Sequence, residues 1–405
     1  MSALKGGPLS KLARTEADLD NLIAYFLNIN NYNNGPDFFQ KQWESLDRFK
    51  LNPKQLSIII DRSGQIVRDY ESQGNDFGNQ RAKELRKIVL GNLHRWEKQA
   101  LGKMSEFDPV DLSHAIRGFY NLGIKPSQEF HKKWFAQIQE RTGVFRPIDF
   151  GVHYSAAAYL GVQLPRSLAS QLIVRLRECG NFLHGRNKTD FVWAIAIQDS
   201  IFPKTEYSEI AALIRPQLAP QSRGTNVDKM RYDVGKWFSW DETFQNPHHS
   251  PRTSQLEEDI RKLFERAGIK TEKREAPLPS FPQAVDFTAY FNKRPVHIEI
   301  DGPTHHIKTA GHVPAATMNP AYKGSDLFRS ALLARETKTP FLRIPEPISY
   351  ALSGRQVGNQ RFGEECCLLI ARSFMQKAAN TVQTVSRAVI LGTEVGIVPM
   401  IPSRP

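Results

Sequence analysis

Cysteine is scarce in this 405-residue chain, with only Cys179 and the adjacent pair Cys366 and Cys367 present. Neighbours in sequence bridge each other only with strain, so a disulfide framework is excluded as the source of stability. A reducing compartment, cytoplasmic or other, is expected. Long apolar runs are also missing. No stretch approaches the roughly 18 residues that a membrane-spanning helix needs, and the opening "MSALKGGPLSKLARTEADLD" has no continuous apolar core of the secretory kind. Lys5, Lys11 and Arg14 are followed at once by Glu16, Asp18 and Asp20, a poor transit-peptide pattern. Organellar targeting and delivery to a host cell stay open. Acidic residues are in deficit, 42 Asp plus Glu against 54 Lys plus Arg, which leaves a net charge of +12 and favours a polyanionic partner.

What is present points to a folded protein. With 24 Phe, 11 Tyr and 6 Trp, and 40% hydrophobic residues, the chain is not a disordered basic tail. Its length predicts two or three folding units.

After a tail over 1–14, residues 15–215 carry apolar positions at intervals of three and four, punctuated by Gly, Pro and Asn, which predicts helices. Self-comparison exposes a weak repeat. "DLSHAIRGFYNLGIKP" from Asp111, "DFGVHYSAAAYLGVQLP" from Asp149 and "DFVWAIAIQDSIFP" from Asp190 start 38 and 41 residues apart. The first two run on into the amphipathic segments "SQEFHKKWFAQIQE" and "RSLASQLIVRLREC". A stack of helical hairpins is the natural reading. "NPKQLSIIIDRSGQIV" with "NQRAKELRKIVLGNLHRWEKQ" is a degenerate first repeat or cap, and the repeated Asp is expected to be a helix N-cap.

Residues 216–253 lose the helical period and are expected to link two domains. Within them, Trp237, Phe238 and Trp240 of "KWFSW" could stack on bases or pin the connection to one domain.

From Ser254 the pattern changes. "TSQLEEDIRKLFERAG" is an amphipathic helix, "AVDFTAYF" and "PVHIEID" alternate as a hairpin around "NKRP", and "GSDLFRSALLARETK" leads as a second helix into the strand "PFLRIP". Residues 254–350 should therefore form a small α/β domain with a mixed sheet, followed by a helix and tail over 351–405. Period two sends Ile298 and Ile300 to the core and His297, Glu299 and Asp301 to the other face, where Asp286 can join them across the hairpin. Clustered carboxylates repel unless a divalent cation or a proton is shared. Ordinary turn chemistry at Asp301-Gly302-Pro303, and a capping box between Ser254 and Glu257, account for some of the same residues.

"AVDFTAYFNKRPVHIEIDGPTHH" with "YKGSDLFRSALLARETKTPFLRIP" resembles the RAP domain, which follows helical repeats in FASTK-like and octotricopeptide-repeat proteins. The same residues resemble the wider PD-(D/E)XK superfamily of restriction-endonuclease-like folds, especially its very-short-patch-repair branch. The resemblance implies an α+β multidomain protein, a helical-hairpin array followed by a RAP domain, that engages single-stranded RNA for processing or regulation. It implies that Glu257 matches the first-helix acid, Asp286 and Glu299 the strand acids and His305 the following histidine, while Asp301 stands where the usual Lys would be. Asp286, Glu299 and Asp301 would then hold Mg²⁺ or Mn²⁺ in a metal-dependent endoribonuclease, the alternative function; without catalysis no cofactor is expected. Candidate RNA contacts are Lys308, Lys323, Arg329, Arg335 and Arg343. A second alternative is a helical-repeat adaptor that binds protein.

Overall fold

The computed structural model describes residues 21–24, 26, 36–73, 75–179, 187–218, 225–240, 254–273, 285–301, 306–309, 321–354, 363–380, 385–391 and 394–399. The architecture is α+β, and the chain divides into two compact units. The first comprises 1–160, 164–171 and 308–312; the second comprises 161–163, 172–307 and 313–405. This division falls within the expected helical array, not at 216, because the last hairpin packs with the sheet-bearing region.

The first unit is helical. Helix α1 (Pro36–Glu44) precedes the hairpin α2 (Pro53–Ser72) and α3 (Asp76–Lys103), which is the degenerate first repeat. The hairpin α4 (Pro109–Leu122) and α5 (Gln128–Arg141) follows, then α6 (Pro147–Leu160), after which the chain continues into α7 (Arg166–Cys179). Helices α2, α4 and α6 stack in order, and the same hydrogen bonds recur from repeat to repeat. Trp96 Nε1 on α3 donates to Leu56 O at 2.8 Å, and Trp134 Nε1 on α5 donates to Leu112 O at 3.4 Å. Between repeats, Ser57 Oγ donates to Asp111 Oδ1 at 2.8 Å and Ser113 Oγ to Asp149 Oδ1 at 3.3 Å. These two indoles and two carboxylates thus each meet a fixed partner.

The repeated Asp is not the N-cap. Helix α4 starts at Pro109 with Asp108 as its cap, and Asp111, two residues further on, accepts the Asp108 N–H at 3.3 Å while Asp108 accepts the Asp111 N–H at 2.8 Å. Asp149 likewise accepts the Arg146 N–H at 2.9 Å from inside the first turn of α6. Asp190 lies in the first turn of α8 (Asn187–Ile201) and is exposed. In the first two of these helices a proline at the first helical position, Pro109 and Pro147, starts the helix two residues before the Asp that marks the repeat. His153, fully buried beside Ser113 Oγ at 3.2 Å, is pushed down to about 3 by burial and is neutral in the core.

In the second unit α8 pairs with α9 (Thr205–Ile214), and α10 (Thr225–Trp237) falls within the segment expected to be a linker. Then come α11 (Gln255–Arg266), β1 (Lys270–Lys273), β2 (Phe287–Phe291), β3 (Arg294–Asp301), α12 (Gly324–Thr337), β4 (Phe341–Pro345), α13 (Glu346–Leu352), α14 (Glu364–Ala379), β5 (Val385–Leu391) and β6 (Glu394–Pro399). The strands form one six-stranded mixed sheet in the order β1-β2-β3-β4-β5-β6. Its outer pairs are antiparallel, whereas β3–β4 and β4–β5 are parallel. The expected C-terminal tail therefore completes the sheet. On one face Phe287, Ala289, Val296, Ile298, Ile300, Leu342 and Ile344 form a core with α11, α13 and α14. Helix α12 packs on the sheet and also on α8 and α10.

Gly118 on α4 tests the close stacking of the first unit, because a Cβ there would lie 2.6 Å from Ile60 C and 2.7 Å from Ile60 O on α2. Those atoms are helix backbone and cannot rotate away. Gly118→Ala should lower stability by about 1–3 kcal/mol through overpacking, measured by urea melts of the full chain. Gly143→Ala, where a Cβ meets nothing within 4 Å, is the neutral control.

Candidate functional site

Strand β3 positions the acids as its alternation predicts, but the face they occupy is covered. Ile298 and Ile300 are in the core. Thr288, His297, Glu299, Asp301 and Arg343 are buried as well, with Thr288 Oγ1 and His297 Nδ1 3.1 Å apart. The parallel register places Glu299 opposite Arg343 and Asp301 opposite Pro345.

Asp301 and Arg343 are both fully removed from solvent and form a two-pronged ion pair. Nε of Arg343 donates to Asp301 Oδ2 at 3.1 Å, and Nη2 donates to Oδ1. Nη1 donates to Ser330 Oγ at 2.7 Å and to Asp326 O at 3.1 Å, both on α12. Burial works against the guanidinium's charge, and the Asp301 carboxylate more than offsets it, holding the Arg343 pKa above its ordinary value. Two expectations are corrected here: Asp301 is the counter-ion of an arginine and not a ready metal ligand, and Arg343 is an interior side chain and not a surface contact for RNA. The spacing "LRIP" places Arg343 on a strand, but only the parallel pairing with β3 shows that it points at Asp301.

Glu299 is held by a second arginine. Arg329 Nη1, on α12 and about a quarter exposed, lies 2.9 Å from Glu299 Oε1. Glu299 Oε2 is buried without a hydrogen-bond partner among the described residues. Asp286, just before β2, accepts the Ile300 N–H at 2.6 Å through Oδ2, the cross-hairpin approach that the sequence implied. Burial first, then the charges of Glu299 and Glu257, raise the Asp286 carboxyl well above its usual range, against the Ile300 N–H and Arg329. Glu257 closes a capping box on α11, with its N–H 3.2 Å from Ser254 Oγ and its Oε2 3.1 Å from Ser254 N. Glu257, Asp286 and Glu299 therefore share one electrostatic neighbourhood. Among the described residues no three His, Cys, Asp or Glu side chains are arranged to hold a metal ion.

Of the other candidates, His305 lies outside the described residues. Lys308 lies in the strand His306–Thr309. Lys323 is partly exposed, immediately before α12. Arg335 is engaged inside the second unit: Nη1 donates to Trp237 O at 2.8 Å, Nη2 donates to Lys236 O, and the guanidinium lies 4.6 Å from the Trp237 ring centre. Trp237 is itself buried, donating from Nε1 to Asp199 Oδ2 at 2.9 Å and packing edge-on against Phe328. In "KWFSW" the first Trp packs rather than offering a face to a base. Phe238 and Trp240 stack on each other, and Arg215 lies 5.4 Å over the Trp240 ring. Sequence reasoning does not single out Ser330 as a site residue; its signal is a hydroxyl next to Arg329 in the mostly apolar run "LFRSALLA", one turn after Asp326.

Removing one member of the Arg343–Asp301 pair leaves a buried charge. Arg343→Leu alone should cost about 3–5 kcal/mol, and the double change Arg343→Leu/Asp301→Leu should recover most of it, measured by denaturant melts. Equal loss in the single and double variants would show that the pair acts only through shape. Asp286→Asn gives a separate pH test. A carboxyl whose folded pKa is raised contributes stability that is fully present below its unfolded pKa and lost as pH rises through the folded one. Asp286→Asn should therefore flatten the decline of stability from the ordinary Asp range upward, and be the more stable protein at neutral pH. No family model matches the sequence, and comparison with curated proteins returns no match.

Proposed function

We propose that this chain is an RNA-binding protein of the RAP type, in which helical repeats and the C-terminal α/β region engage single-stranded RNA for RNA processing or regulation. The supporting observation is the internal neutralisation of the acidic strand end. Arg343 balances Asp301 and Arg329 balances Glu299, so these two acids present no uncompensated negative charge to a polyanion, and the chain as a whole carries a net charge of +12. A polyanion is the partner such an excess attracts. Lys323 and the exposed part of Arg329 are the described candidates for phosphate contact near this site.

The second reading is an endoribonuclease dependent on Mg²⁺ or Mn²⁺. In its favour stands the proximity of Asp286, Glu299 and Glu257, with Glu299 Oε2 unbonded. Against it stand the two arginines already on Glu299 and Asp301.

Incubating the full chain with labelled single-stranded RNA, in Mg²⁺, in Mn²⁺ or in chelator, separates the two readings. Binding should fall steeply with salt, and the RNA should stay intact in every arm. Metal-stimulated cleavage that is lost in both Glu299→Ala and Asp286→Asn would overturn the binding-only reading in favour of the nuclease. Affinity unchanged between low and high salt would overturn the electrostatic basis of both.

A further inference from the structure

Helix α3 of the first unit has two unlike sides. Ala82, Leu85, Val89, Leu93, Trp96 and Ala100 are buried. At about 100° per residue, Lys83, Lys87, Gly91, His94 and Lys98 fall within an arc of about 80° on the roughly opposite side, and about 22 Å of helix axis separates the first from the last. All five positions are exposed. Among the described residues none of these lysines, nor His94, forms an ion pair. The nearby acids are engaged elsewhere, Glu84 with Arg81 at 3.6 Å and Glu97 with the Ser127 N–H at 3.1 Å. The stripe is therefore a line of basic side chains without ion-pair partners among the described residues, not one half of a salt-bridge ladder.

Gly91 adds an independent observation. It sits in the interior of a 28-residue helix, where glycine is disfavoured relative to alanine. Its φ is not in the left-handed region, and a Cβ there would meet nothing within 4 Å. Gly118 is required by a neighbouring helix; Gly91 has no such neighbour. What its missing side chain does provide is open access to the helix backbone midway along the stripe, between Lys87 and His94.

We propose that Lys83, Lys87, His94 and Lys98 form a track for the sugar-phosphate backbone of single-stranded RNA, with Gly91 as the point of closest approach. The identity of the polyanion rests on the RNA-binding reading above; the location of the track does not. A chain of phosphates matches a line of separate cations better than a compact anion would, because each lysine can displace its own condensed counterion.

The test uses the full chain, a fluorescein-labelled oligouridylate and vesicles containing phosphatidylserine. Lys83→Gln/Lys87→Gln/Lys98→Gln should lose at least about tenfold in affinity at 0.1 M salt, and its log–log salt slope should become shallower by about 2, from three contacts at roughly 0.7 each on a single strand. Gly91→Leu should melt at the parent temperature or higher, since leucine is the better helix former and the space is open, while losing several-fold in affinity. A merely solvated helix face would show neither loss. Parent affinity and slope in the triple variant would overturn the track while leaving RNA binding by the chain standing. Failure of the parent to bind RNA at all would overturn both readings. Binding confined to the vesicles, and lost in the triple variant, would assign the stripe to a lipid surface and overturn the proposal.

Discussion

The ion pair between Arg343 and Asp301 is the constraint on which the sheet-bearing unit depends. Two charges fully removed from water are tolerated only when geometry is good and the remaining donors are satisfied. Asp301 uses both oxygens on one guanidinium, and the third nitrogen of Arg343 reaches Ser330 and the Asp326 carbonyl. The pair thereby ties β3 and β4 to α12. Helix α12 in turn carries Phe328 and Arg335, against which Trp237 of α10 packs. A polar contact inside the sheet layer thus fixes the helix on which α8 and α10 rest.

The chemistry available to the acids follows from the same pairing. Asp301 and Glu299 each face an arginine, whereas burial first, and then the charges of Glu299 and Glu257, push the Asp286 carboxyl pKa upward. A proton is one way for crowded carboxylates to coexist, and a basic side chain is another. At this strand end the basic side chains are Arg329 and Arg343, and the raised Asp286 pKa favours the proton. The net effect is a polar interior that neutralises itself, which leaves the basic excess of the chain to its other surfaces.

The first unit solves a different problem with repetition. Two successive repeats use the same partners: an indole to a leucine carbonyl within the repeat, and a serine hydroxyl to the following repeat's aspartate. Close stacking of α2 on α4 then demands glycine at Gly118, where helix backbones nearly touch. Stability of this kind is shared among neighbours and does not require one central core.

Much of this was legible in the chain itself. Period-three-and-four apolar spacing marked the hairpins, and period two in "HIEID" separated Ile298 and Ile300 from Glu299 and Asp301, because local backbone geometry alone sets which side chains share a face. The absence of a membrane-spanning run in the sequence agrees with the lack, among the described residues, of any helix long and apolar enough to cross a membrane. Tertiary structure decided the rest. Whether the acidic face opened on solvent or lay under α12 depends on pairing between residues more than forty positions apart, Asp301 with Arg343, and no local period encodes that. The same holds for Arg335 and Trp237, for the helix inside 216–253, and for the strands Val385–Leu391 and Glu394–Pro399 that close the sheet. Local periodicity determined what each segment could bury; long-range packing determined which charges met.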